Sequence, residues 1–161
     1  GVASVQIILN PLRHKPLEAV LPAAAASGTG IIARVPLASG LLSGRYDAST
    51  TFPADDHRTY NRHGEAFDVG ETFSGVPYDV GLRAARKVAA LTPAGATTAQ
   101  LALRWIVDQP GVSTVIPGAR NAEQARANAA AADLAPLTRE MLEELREVYD
   151  GDVREHVHSR W

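Results

Sequence analysis

The sequence has no cysteine and a single methionine. Without cysteine there is no disulfide, no thiolate nucleophile and no cysteine-ligated zinc, which accords with a reducing compartment such as the cytoplasm. An excess of charge of one sign is also missing. Sixteen basic and 18 acidic side chains leave a net charge of −2, which gives no electrostatic case for nucleic acid or an anionic membrane as partner. No apolar run reaches the ~18 residues of a membrane-spanning helix. Residues 20–26 come nearest, but they are alanine-rich, contain Pro22 and run into Ser27-Gly28. A basic N-terminal region with a cleavage pattern is lacking as well, so no signal peptide is expected. Catalytic signatures are equally absent: there is no G-x-S-x-G, H-E-x-x-H, P-loop or G-x-G-x-x-G.

What remains is ordinary globular composition, 45% apolar and 21% charged over 161 residues, enough for one domain with a real core. The chain opens directly on an apolar segment without Met, which leads to the expectation of a piece of something longer. Residues 3–9 read as a strand, with Val5, Ile7, Ile8 and Leu9 ended by Asn10-Pro11. A helix over 17–26 follows, with Gly28 available as a left-handed cap. A second strand over 31–35 is nearly all apolar, as a covered parallel strand should be, and Pro36 ends it. Residues 45–80 have no period of 2 or 3.6, but Phe52, Tyr60, Phe67, Phe73 and Tyr78 give this long loop something to pack with. Helical spacing returns from Leu82 to Leu91. A further helix over 98–109 starts at the capping box Thr97-x-x-Gln100. A third strand over 112–116 ends at Pro117-Gly118, helices follow over 121–131 and 138–149, and the tail over 151–161 reads as polar and irregular. Strands alternating with helices argue for an α/β protein with a parallel sheet. Three strands alone leave two bare edges, which invite a second chain.

Two segments carry most of the information. The first, Ala33-Arg34-Val35-Pro36-Leu37-Ala38-Ser39-Gly40-Leu41-Leu42-Ser43-Gly44-Arg45-Tyr46, leaves a strand through small residues whose backbone could approach a diphosphate closely. A tight strand-to-helix turn needs the same residues and no ligand. The second, Val115-Ile116-Pro117-Gly118-Ala119-Arg120-Asn121-Ala122-Glu123-Gln124-Ala125-Arg126-Ala127-Asn128, puts Asn121 at a helix N-cap with Gln124 three residues on. Capping alone accounts for N-x-x-Q. Gln124 and Asn128, four apart, share a helix face, and both amides can donate and accept.

Together these segments resemble the aldo-keto reductase pattern, a P-L-A-x-G-x-L-[ST]-G-[KR]-Y loop followed later by an I-P-G-x-x-x-x-E-Q-x-x-x-N turn. The resemblance extends over essentially the whole chain, with Val5-Gln6-Ile7-Ile8-Leu9-Asn10 as the strand before the two motifs. It implies a single unit over residues 1–161, the C-terminal, cofactor-binding half of a (β/α)₈ barrel, since a complete barrel needs roughly 200 residues or more. The cofactor it implies is NADP(H). Pro36, Leu37, Ser39, Gly40 and Arg45 would lie along the diphosphate. Ile116 and Gly118 would shape the second turn, Arg120 would meet the 2′-phosphate, and Gln124 and Asn128 the adenosine. Gln6 would sit by the nicotinamide carboxamide and Arg34 under the ring, where many family members carry an aromatic. A guanidinium is also flat, although its charge opposes an oxidised ring.

The family's Asp, Tyr, Lys and His set comes from earlier strands that these residues do not match. No catalytic residue is therefore assigned, and chemistry would need an N-terminal half, fused or as a second chain. A non-catalytic half-barrel that self-associates through its sheet edges is the alternative. No metal is assigned either: Asp55-Asp56-His57 and His156-x-His158 lack a complete ligand set. By resemblance, the tail near Trp161 borders a substrate pocket.

Overall fold

The computed structural model describes residues 1–160; Trp161 and any role at a substrate pocket lie outside the described residues. Three parallel strands form one sheet in the order β1-β2-β3: β1 (Ser4–Ile8), β2 (Gly30–Arg34) and β3 (Val112–Val115). β1 and β2 pair from Ser4 opposite Gly30 to Ile8 opposite Arg34. β2 and β3 share a bulge between Ile31 and Ile32, where the Ser113 hydroxyl accepts the Ile31 N–H at 3.2 Å. Side chains alternate across this sheet. Ile7, Ile31 and Ala33 face the helices and are buried, while Gln6, Ile32 and Arg34 point to the opposite, more open face. The expected α/β architecture is present, and the outer strands β1 and β3 each pair on one side only among the described residues.

Local sequence places the helices. Helix α1 (Val20–Ser27) ends at Gly28, whose left-handed φ of 70° lets its N–H reach back to the Ala25 carbonyl. The short helix α2 (His57–Tyr60) and two 3-10 turns order the long loop, whose rings Tyr46, Phe52, Phe73 and Tyr78 pack together. Helix α3 (Tyr78–Ala90) starts four residues before the periodic stretch at Leu82, because Pro77 is already a helix entry. Helix α4 (Thr98–Val107) carries both halves of the Thr97–Gln100 capping box. Helices α5 (Ala122–Ala129) and α6 (Arg139–Val148) begin at the caps Asn121 and Thr138.

The tail departs from the irregular reading. A π-helical turn at Tyr149–Val153 leads into α7 (Arg154–Val157) and a 3-10 turn at His158–Arg160. Buried Tyr149, Val153 and Val157 recur every fourth residue, a stripe masked in the sequence by Gly151 and its flanking aspartates. Among the described residues, no helix is long and apolar enough to cross a membrane.

Tyr149 also closes a ring stack. His14 lies between Trp105, at 4.6 Å, and Tyr149, at 4.1 Å between ring centroids. Burial disfavours its charged form and pushes its pKa from 6.5 down to about 3. The folded chain thus keeps His14 neutral where the unfolded chain takes up a proton. Its contribution to stability is complete above pH 6.5 and is lost as pH falls toward 3, at up to about 1.4 kcal/mol per pH unit. His14→Phe keeps the stack and removes the titration. Urea unfolding between pH 6.5 and 4.5 should show a shallower loss for the variant than for the wild type, and equal slopes would reject this assignment.

Candidate functional site

The chain leaves β2 through a series of left-handed residues: Val35 at φ 50°, Ala38 at 48°, Ser39 at 54° and Gly40 at 98°. Such values are rare and strained for residues with a Cβ, most of all for a β-branched one. Neighbouring segments hold the turn in place. Asn10 Nδ2 donates to the Val35 carbonyl at 2.9 Å. The Ser39 hydroxyl donates to the Glu71 carbonyl at 3.2 Å and accepts the Phe73 N–H at 3.0 Å. At Gly40 a Cβ would lie 2.3 Å from the Tyr46 hydroxyl, so any side chain there must displace Tyr46.

The second turn leaves β3 beside the first, with the Ile116 N–H on the Ala33 carbonyl at 3.0 Å. Asn121 Oδ1 caps α5 by accepting the Gln124 N–H at 2.8 Å. Gln124 Oε1 accepts the Arg120 N–H at 2.9 Å, and Asn128 Nδ2 donates to the Gly118 carbonyl at 3.1 Å. Capping chemistry is therefore real, but each amide spends one atom on it. Among the described residues, Gln124 Nε2 and Asn128 Oδ1 make no hydrogen bond, leaving a donor and an acceptor on one helix face.

Both turns open into one cleft of about 1020 Å³. Pro36, Leu37, Ser39, Gly40 and Arg45 line it from the first turn, and Ile116, Gly118, Arg120, Gln124 and Asn128 from the second. Two residues singled out from the sequence do not line it. Gln6 is exposed in the middle of β1. Arg34 is engaged by Glu71 through a bidentate ion pair. Its Nη1 stands 2.6 Å from Glu71 Oε2, and it is Glu71 that reaches the cleft.

Beyond Tyr46, which closes the first motif, the long loop supplies a wall that the motifs did not reveal, through Phe52, Asp56, His57, Arg58 and Glu71. Arg58 grips Asp56 with two nitrogens, donates to the Tyr46 hydroxyl, and lies 4.3 Å over the Phe52 ring. The Arg58 hydrogen bond holds the Asp56 carboxyl down at about 2. Asp56 also caps α2 through the Arg58 N–H. His57 Nδ1 stands 3.2 Å from the Thr72 hydroxyl. A charge pair two residues apart, flanked by aromatics, was the available signal.

Gly40→Ala tests how this wall is built. The added methyl must displace Tyr46 and accept a left-handed backbone, each a source of strain. The variant should lose about 2–4 kcal/mol of stability in a denaturant melt, and Gly40→Ala/Tyr46→Ala should recover part of it. No recovery would mean that the Tyr46 contact is not the cause.

Residues 1–150 match the profile described as "Aldo/keto reductase family". The chain is 34% identical over 144 residues to a probable voltage-gated potassium channel subunit beta from Oryza sativa subsp. japonica, covering 84% of this chain and 40% of that protein. It is 33% identical over 138 residues to an uncharacterized oxidoreductase of Mycobacterium bovis, covering 83% of this chain and 38% of the relative. In structure it superposes on the glycerol dehydrogenase from Gluconobacter oxydans with a TM-score of 0.73 and 25% identity, over 96% of this chain and 43% of that one. The chain therefore spans about two fifths of the length of these proteins, and its three strands and helices match part of their barrel. On the family profile and these relatives, the chain belongs to the aldo/keto reductase family.

Proposed function

We propose that the cleft binds NADP(H) and that the chain is the cofactor-holding, C-terminal half of an oxidoreductase acting on aldehydes and ketones. One observation carries this reading: two backbone-rich turns at adjacent parallel strand ends open into the same cleft, the position where α/β barrels take their ligands. The residues present fit such a group. Arg45 and Arg120 are exposed and make no ion pair among the described residues, so both are available to phosphate oxygens. A Cβ at Gly118 would meet nothing within 4 Å, so the second turn is open to a close neighbour. Gln124 Nε2 and Asn128 Oδ1 offer the donor and acceptor that an adenine edge complements.

When bound, the nicotinamide supplies or accepts the hydride. The proton at the carbonyl needs a positioned acid, and the family resemblance assigns that acid to strands these residues do not match. The Tyr46 hydroxyl accepts from Arg58, and Lys87 pairs with Asp152 at 2.7 Å, so neither reproduces a Tyr and Lys pair at one carbonyl. The acid is then supplied by sequence outside these 161 residues, fused or on a second chain. A second reading is favoured by the outer strands, whose free edges lie near exposed Val2, Val5 and Ile116. In it the half-barrel is a non-catalytic association module. The potassium channel beta subunits among the relatives accord with a role in an assembly.

Fluorescence titration with NADPH and NADH tests the first reading. NADPH should bind in the micromolar to sub-millimolar range without turnover of a carbonyl substrate. Arg120→Ala should weaken NADPH about tenfold or more while leaving NADH nearly unchanged, as expected for loss of one charge-assisted contact to the 2′-phosphate. No binding of NADPH at millimolar concentration would reject the reading.

A further inference from the structure

A second kind of arginine stands beside the cleft, one step behind its lining. Arg34 is the last residue of β2 and leads straight into the cleft turn at Val35-Pro36. It faces the same side of the sheet as Gln6 and Ile32, by strand alternation and register. Alone, it would put a full positive charge at the strand end from which that turn departs. It is not alone: Glu71 takes its guanidinium in a bidentate grip, and both side chains are about one third exposed, at 31% and 32%.

Glu71 is itself held on both sides. Its N–H reaches the Asp68 carbonyl at 3.1 Å, and its own carbonyl accepts the Ser39 hydroxyl at 3.2 Å. The preceding turn is capped by Asp68, whose carboxylate accepts the Gly70 N–H at 2.7 Å. The backbone that carries this carboxylate is thus tied to the cleft turn through Ser39. The hydrogen bond between the two groups holds Arg34 up and Glu71 down from their ordinary pKa values, so both stay charged at neutral pH. As a plain tie, a pair this exposed contributes only about 0–1 kcal/mol. Its larger consequence is electrostatic, because it turns a cation into a flat group of no net charge.

We infer that Glu71 is a positioning and charge-compensating residue of the nicotinamide end, neutralising Arg34 so that the cleft accepts the cationic oxidised ring as well as the neutral reduced one. This rests on the cofactor reading above. The two oxidation states differ by one positive charge on the ring, so the ratio of their affinities reports the local potential. Any loss of packing or of wall geometry acts on both states alike.

The test is titration of NADPH, with NADP⁺ in competition, against the wild-type chain, Glu71→Gln and Arg34→Gln/Glu71→Gln. Glu71→Gln leaves Arg34 uncompensated and should raise the ratio of Kd for NADP⁺ to Kd for NADPH about tenfold, the scale of a unit charge a few ångströms away through partly solvated surroundings. The double variant removes both charges and should return the ratio to near the wild-type value. Added salt should shrink the Glu71→Gln effect. Equal weakening of both states, or a ratio that the double variant fails to restore, overturns the role of Glu71 and leaves the cofactor reading standing. Failure of the wild-type chain to bind either state overturns the cofactor reading, and this inference with it.

Discussion

One buried amide, that of Asn10, joins the exits of two strands to the inner part of the long loop. It is fully enclosed, and it lies just past the end of β1. Its Nδ2 donates to the Val35 carbonyl at 2.9 Å and to the Ser74 hydroxyl at 2.8 Å, while its Oδ1 accepts the Leu12 N–H at 2.8 Å. Three distant segments therefore meet on one side chain: the exit of β1, the exit of β2 and the inner part of the long loop. An amide in such a place costs several kcal/mol if left unpaired, so the three segments must arrive together. Val35 and Ser74 are both left-handed, at φ 50° and 59°, and both are gripped by Asn10. Strain at those two points is stable because the surrounding bonds leave no alternative.

The legible parts of this structure were those written in short stretches of sequence. Gly28 announced a helix end, Thr97 and Gln100 a helix start, and Asn121 with Gln124 another, because caps are local chemistry between residues three or four apart. The strand exits were readable for the same reason, since Pro36 and Pro117 stop their ladders. The wall of the cleft was not. Glu71 meets Arg34 across 37 positions, and Ser39 meets Phe73 across 34, and no periodicity records such pairings. Asn61 shows the same limit. It is fully buried, and its Oδ1 accepts the N–H groups of Ala66 and Phe67 at 2.8 Å each. In sequence it is one polar residue in a polar loop. The tail misled for a different reason, because its fourfold apolar spacing passes through a π turn that a 3.6-residue template does not fit.

Charge in and beside the cleft is divided in a way that the total of −2 conceals. Arg45 and Arg120, on the two turns, stand exposed and without ion pairs among the described residues. Arg34 and Arg58, on the strand end and the loop wall, are neutralised by Glu71 and Asp56. A dinucleotide has the same division: its phosphates carry the negative charge at one part of the molecule, while its nicotinamide alternates between neutral and cationic. Free cations suit the first, and compensated ones suit the second. Positive charge spread evenly along the cleft would bind phosphate as well but would work against the oxidised ring.

The same logic separates the cleft from the open side of the sheet. Parallel strands with edges unpaired among the described residues and a partly exposed face need covering, and Gln6 of β1 and Ile32 of β2 lie on that open face. The cleft walls do not depend on it. The turn after β2 and the long loop are bound to one another by Asn10, Ser39 and Arg34, Arg58 ties the loop to Tyr46, and the turn after β3 is joined to β2 through the Ile116 N–H on the Ala33 carbonyl, all within these 161 residues. A barrel completed from outside would add strands to the edges without replacing any of those bonds. Recognition of the nucleotide and closure of the sheet are on this view separable properties, and the buried amide of Asn10 belongs to the first.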